Sequence, residues 1–103
     1  MITVCFKAAQ DKLCGFRITG HAGGEYGQDI VCAAVSSAAY MTANTLTEII
    51  GANALVTVDD GLMDVTLTDR VDACQDILAG FRLHITALIE EYPSRVHLLN
   101  TEV

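Results

Sequence analysis

Apolar and polar residues alternate from the start of the chain. Ile2, Val4 and Phe6 fall on one side and Thr3, Cys5 and Lys7 on the other, the period of a half-buried strand over residues 2 to 8. After the polar AAQDK, a second alternation sets Cys14, Phe16 and Ile18 against Arg17 and Thr19, which predicts an antiparallel partner joined by a short loop. The period then lengthens. Residues 29 to 50 form an alanine-rich run, with Asp29 as an N-cap candidate and Gly51 where a left-handed residue closes a helix. Its apolar residues, among them Ile30, Val31, Val35, Ala39, Met41, Leu46 and Ile49, cover more than one stripe. That predicts a helix central to the domain or shared with a second subunit.

ALVTVDDGLMDVTL, residues 54 to 67, carries the clearest local signal. Asp60-Gly61 suits a two-residue type I′ loop, in which both positions take positive φ. The implied register pairs Val58 with Met63, Val56 with Val65 and Ala54 with Leu67 on a dry face, and Thr57 with Asp64 on a wet one. From about Asp72 to Tyr92 the helical period returns through Ile77, Leu78, Phe81, Ile85, Leu88 and Ile89, until Pro93 stops it. The tail RVHLLNTEV adds a candidate edge strand. The order β-β-α-β-β-α-β predicts an α+β two-layer sandwich: an antiparallel-rich sheet with two helices on one face.

The 103 residues suffice for a single domain spanning 1–103, large enough to bury a core without metal or disulfides. No apolar run is read as long enough to span a bilayer. The opening MITVCFKAAQDK reads as a strand without a basic leader, so a cytoplasmic protein is expected. Thirteen acidic against six basic residues, a net charge of −7, disfavour nucleic acid and favour a basic partner. The four cysteines have no CxxC spacing and are expected as free thiols.

The candidate chemistry lies in GHAGGEYGQDIVCAAVS, residues 20 to 36, where His21 and Cys32 stand eleven positions apart across a glycine-rich loop. With Asp29 as N-cap, Cys32 is the third residue of the helix, where free amides and the dipole favour a thiolate and an oxyanion. His21 would fold back as its base, and Gly20 and Gly27 would let backbone approach a substrate. Ser36 lies one turn on, beside the same site, and Asp29 could orient His21. Against this stands a packing role, since free cysteine is among the most buried residue types. One His and one Cys leave a zinc site short of ligands, so neither metal nor other cofactor is expected. Cys14 and Cys74 read as packing residues, and His84 and His97 as surface or interface residues.

G20-H21-A22 followed by G27-x-D29-I30-V31-C32-A33-A34-V35-S36 resembles the signature of the ribosomal-processing cysteine proteases, the Prp family. The resemblance implies a cytoplasmic bacterial endopeptidase, typically a homodimer, that removes an N-terminal extension from the large-subunit ribosomal protein L27. The family's catalytic His and Cys map onto His21 and Cys32, and its site Asp and Ser onto Asp29 and Ser36. The competing readings are a non-catalytic module that binds a ribosomal protein and a redox-sensing thiol protein.

Overall fold

The computed structural model describes the backbone of residues 1–20 and 26–103, with side chains outside 21–29. Its elements are β1 (Ile2–Ala9), β2 (Lys12–Thr19), α1 (Tyr26–Asn44), β3 (Ala54–Asp59), β4 (Leu62–Leu67), α2 (Gln75–Glu91) and β5 (Val96–Glu102). The strands form one sheet in the order β3-β4-β2-β1-β5. Only the β1–β5 pair is parallel, because α2 carries the chain back across the sheet to its far edge. This is the expected α+β architecture.

The alternation of β1 does what its period demands. Ile2, Val4 and Phe6 are buried under the helices with Phe16 and Val65, facing Val31, Val35, Leu46, Leu78 and Ile85. Phe81 of α2 sits at the centre, its ring edge-on to Phe16 at 4.9 Å and to Phe6 at 5.5 Å. Each large side chain buried here stabilises the fold by about 1.5–3 kcal/mol. In β2, Cys14 is an extra residue: Lys7 pairs with Gly15 but Ala8 with Leu13, a bulge that buries Leu13 and Cys14 together. Gln75 holds this irregular stretch, accepting the Leu13 N–H at 2.9 Å and donating to the Leu13 carbonyl at 2.8 Å.

The β3–β4 register is the predicted one throughout, from Ala54↔Leu67 to Val58↔Met63. The turn type is not. Only Gly61 (φ 69°) takes positive φ in the Asp60-Gly61 loop, while Asp59 Oδ1 accepts the Asp60 N–H at 2.8 Å and bends the loop locally. The type I′ signature occurs instead at Gln10 (φ 53°) and Asp11 (φ 64°), between β1 and β2. The predicted dry face holds on β4, where Met63, Val65 and Leu67 are buried, and at Ala54 of β3, which packs against the core, but Val56 and Val58 stay half exposed.

Helix α1 departs from expectation in three ways. It begins at Tyr26, so Asp29 lies within its first turn and Cys32 in its second. A carboxylate is favoured at the cap and throughout the first turn alike, so Asp29 could not mark the start by itself. The helix is not central: Val31, Val35, Ala39, Thr42, Ala43 and Leu46 form one buried stripe, whereas Ile30, Tyr40, Met41 and Ile49 are exposed. Finally, Ile30–Ile49 is long and apolar enough to cross a membrane by length and composition, contrary to the expectation, yet its buried stripe packs it across the sheet. Its end widens into a π-helical turn at Thr45–Ile49, where Thr45 and Thr47 donate to the carbonyls of Met41 and Ala43. Gly51 (φ 77°) closes it as expected.

Candidate active site

The first half of α1 passes over the end of the sheet where β1 begins, β2 ends and the β3–β4 hairpin turns. A pocket of about 160 Å³ opens there. One wall is a single face of α1: Cys32, Ser36 and Tyr40, spaced at four residues so that they stack one turn apart. The floor is apolar, with Ile2, Ile18 and Met63, and the far wall is the hairpin end, with Val58, Asp59 and Gly61. Cys32 is half buried against the edge of the core, whereas Ser36 is exposed.

Gly20, on the rim of this pocket, follows the last residue of β2 and precedes His21. Its φ is 89°, and a Cβ there would lie 2.4 Å from the Met1 carbonyl oxygen. Glycine is therefore required here by a close approach to the chain's own backbone. Its N–H donates to the Gly61 carbonyl at 3.0 Å, which ties the hairpin tip to the segment that carries the histidine. His21 and residues 22–25 lie outside the described residues, as does the Asp29 side chain; Gly27 is part of the first turn of α1.

The structure thus brings Cys32, Ser36 and Gly20 to one pocket, on a different electrostatic basis from the one expected. The unsatisfied amides of a helix belong to its first turn, and the dipole effect fades beyond it. Cys32 stands in the second turn, beyond those amides. Neither Tyr40 nor the hairpin residues are singled out by the sequence pattern. Tyr40 was visible in principle, eight residues after Cys32 on one helix face. Val58 and Asp59 were not, because their approach depends on β4 pairing with β2.

The remaining thiols have other surroundings. None of the four cysteines forms a disulfide. Cys14 and Cys74 are buried, and burial pushes both thiols above the ordinary value, as expected of packing residues. Cys5 is half buried on the open face of the sheet, paired across the strands with Arg17. His84 and His97 are exposed. Among the described residues no three His, Cys, Asp or Glu side chains gather as a metal site would require. A larger groove of about 600 Å³ runs between α1 and α2 past Met41 and Gly80, but no cysteine lines it.

The family model of the cysteine protease Prp matches residues 1–97. The chain belongs to the Prp family. The structure of SMU.848 from Streptococcus mutans superposes with a TM-score of 0.87 at 33% identity, covering 100% of this chain and 96% of that one. The essential ribosomal processing protease Prp from S. aureus, in complex with a substrate peptide, gives 0.88 at 28% identity, covering 98% and 100%. The same S. aureus protease with a covalently linked product peptide gives 0.87 at 29%, with the same coverage. Comparison with curated protein sequences finds no significant match. Membership makes this chain a cysteine protease of a ribosomal-processing family, with the five-stranded, two-helix fold of the Prp structures.

Proposed function

We propose that the protein is a cytoplasmic endopeptidase that removes the N-terminal extension of ribosomal protein L27, with Cys32 as nucleophile and His21 as its base. The observation that carries this reading is the position of Cys32: a half-buried thiol on the wall of a pocket whose rim, at Gly20, is the residue before His21. Because Cys32 stands in the second turn of α1, the reading assigns activation of the thiol to the histidine. His21 takes the Sγ proton, and the thiolate attacks the scissile carbonyl carbon. As the tetrahedral intermediate collapses, the C–N bond breaks and His21 protonates the departing amine. Water then hydrolyses the thioester and regenerates the thiol. A covalently linked product peptide, present in the S. aureus relative, is what this route would yield.

Ser36, on the same wall as Cys32, is assigned to hydrogen-bond substrate, and the sequence motif supports Asp29 as the residue that orients His21. The apolar floor suits an apolar substrate side chain next to the scissile bond. The net charge of −7 suits a basic ribosomal protein and accelerates its encounter. A ribosomal substrate sets the location as the cytoplasm, and the exposed apolar residues of β3 support a homodimer.

The test is cleavage of the organism's own L27 precursor, or of a peptide spanning its N-terminus. Wild-type protein is expected to make one truncation. Cys32→Ala should abolish it, and His21→Ala should lower kcat at least about 100-fold, the usual worth of a general base. Intact substrate with wild type, binding retained, would favour the binding-module reading instead.

A further inference from the structure

We infer that Asp59 is a specificity-determining residue that selects a lysine or arginine in the substrate close to the scissile bond. The inference rests on the protease reading of the pocket and names a determinant within it. The described walls are otherwise apolar or hydroxyl-bearing: Ile2, Ile18, Val35, Val58 and Met63 on one hand, Ser36 and Tyr40 on the other. Asp59 is the only carboxylate among them, and no described cation lines the pocket to neutralise it.

The carboxylate is held in place. Asp59 ends β3 opposite Leu62, and its Oδ1 accepts the Asp60 N–H at 2.8 Å. The hairpin tip is in turn bonded to Gly20 through the Gly61 carbonyl at 3.0 Å. The carboxylate and Cys32 line the same pocket, on the hairpin and on α1 respectively. Cations elsewhere on the sheet are already engaged: Lys7 and Arg17 both pair with Asp64, at 2.6 and 3.1 Å. Among the described residues none pairs with Asp59. A peptide that threads the pocket with a cation next to its scissile bond supplies the missing counter-charge. A neutral peptide leaves the carboxylate to water.

The experiment uses peptides spanning the L27 cleavage site, with Lys or Gln placed in turn at each of three positions on either side of the scissile bond. For wild type, one position is expected to favour Lys over Gln by about two- to fivefold in kcat/KM, the worth of an exposed ion pair. The preference should reside in KM and shrink as salt is raised. Asp59→Asn should level the ratio at that position, and Asp59→Lys should favour Glu there. Asp11→Asn, which changes net charge equally at the opposite end of β1 and β2, should keep the Lys preference. A flat profile with wild type, or an unchanged preference in Asp59→Asn, overturns the assignment.

The same peptides are titrated against the Cys32→Ala protein, so that binding is read without turnover. If wild type cleaves nothing but binding keeps an Asp59-dependent Lys preference, the protease reading falls and Asp59 still stands as the selector. If binding is indifferent to both Lys and Asp59, the assignment fails whatever the cleavage result.

Discussion

A thiol reacts through its thiolate, so burial alone sets Cys14 and Cys74 apart from the half-buried Cys5 and Cys32. Cys14 and Cys74 lie in the core, and desolvation raises both pKa values, with the charges of Lys7 and Arg70 only partly offsetting it. A thiol whose pKa is higher by one carries about tenfold less thiolate, before restricted access is counted. Iodoacetamide at pH 8, followed by peptide mass mapping, is therefore expected to label Cys14 and Cys74 more slowly than the half-buried Cys32. Equal rates would mean that the core is open at those positions. In His21→Ala the labelling of Cys32 should slow, since α1 offers its second turn no dipole in exchange. The pattern of residues 20 to 36 was enough to single out Cys32. It misplaced the helix start, because a carboxylate three residues upstream of Cys32 is compatible with a cap or with a first turn. Only the helix start distinguishes a dipole-assisted thiol from one that depends on its base.

The β3–β4 register was legible because it is decided by neighbours in sequence, alternation selecting the face and a two-residue loop the pairing, whereas the bulge at Cys14 hid that of β1–β2. The order of strands was not legible, since β4 meets β2 and β5 meets β1 only after a helix intervenes. One consequence is a polar network on the open face that no local pattern announces. Lys7 of β1 reaches over β2 to Asp64 Oδ1 and to the Thr66 hydroxyl at 2.7 Å, while Arg17 of β2 binds Asp64 Oδ2. Burial by itself would raise the Asp64 pKa, but the hydrogen bond and charge of Lys7, with help from Arg17 and Thr66, outweigh it and hold the group below the ordinary carboxylate value. A depressed folded-state pKa stabilises the fold above the unfolded value, near 4, and that contribution is lost as pH falls through the folded value. Asp64→Asn is thus expected to cost about 1–2 kcal/mol at pH 7. In urea melts of the two proteins the gap should close steadily below about pH 4. A gap that persisted into strong acid would show that packing, rather than charge, joins these strands.

An edge strand that presents apolar side chains on both faces is a liability for a protein meant to stay single. Natural edges are blunted with lysine, proline or a bulge. β3, ALVTVD, has none of these, and Leu55, Val56 and Val58 are 68%, 49% and 52% exposed. Helix α1 adds exposed Ile30 and Tyr40. Self-repulsion from a net charge of −7 opposes association, so a dimer must bury enough apolar surface to overcome it; stable interfaces bury roughly 1,200–2,000 Å² in total. The proposed homodimer therefore belongs on the β3 side of the molecule. Val56 is the residue to change, because it lies in β3 but outside the lining of the Cys32 pocket. Wild type is expected to sediment as a dimer and to melt at higher temperature as concentration rises, by mass action. Val56→Lys should sediment as a monomer with a melting point independent of concentration. A dimer that survives Val56→Lys would place the interface elsewhere, and a wild-type monomer would dismiss the dimer altogether. Cleavage by the monomeric variant then decides a further point. If its kcat/KM per protomer matches wild type, each pocket works alone; if cleavage falls with dissociation, the second copy completes the site beside the hairpin.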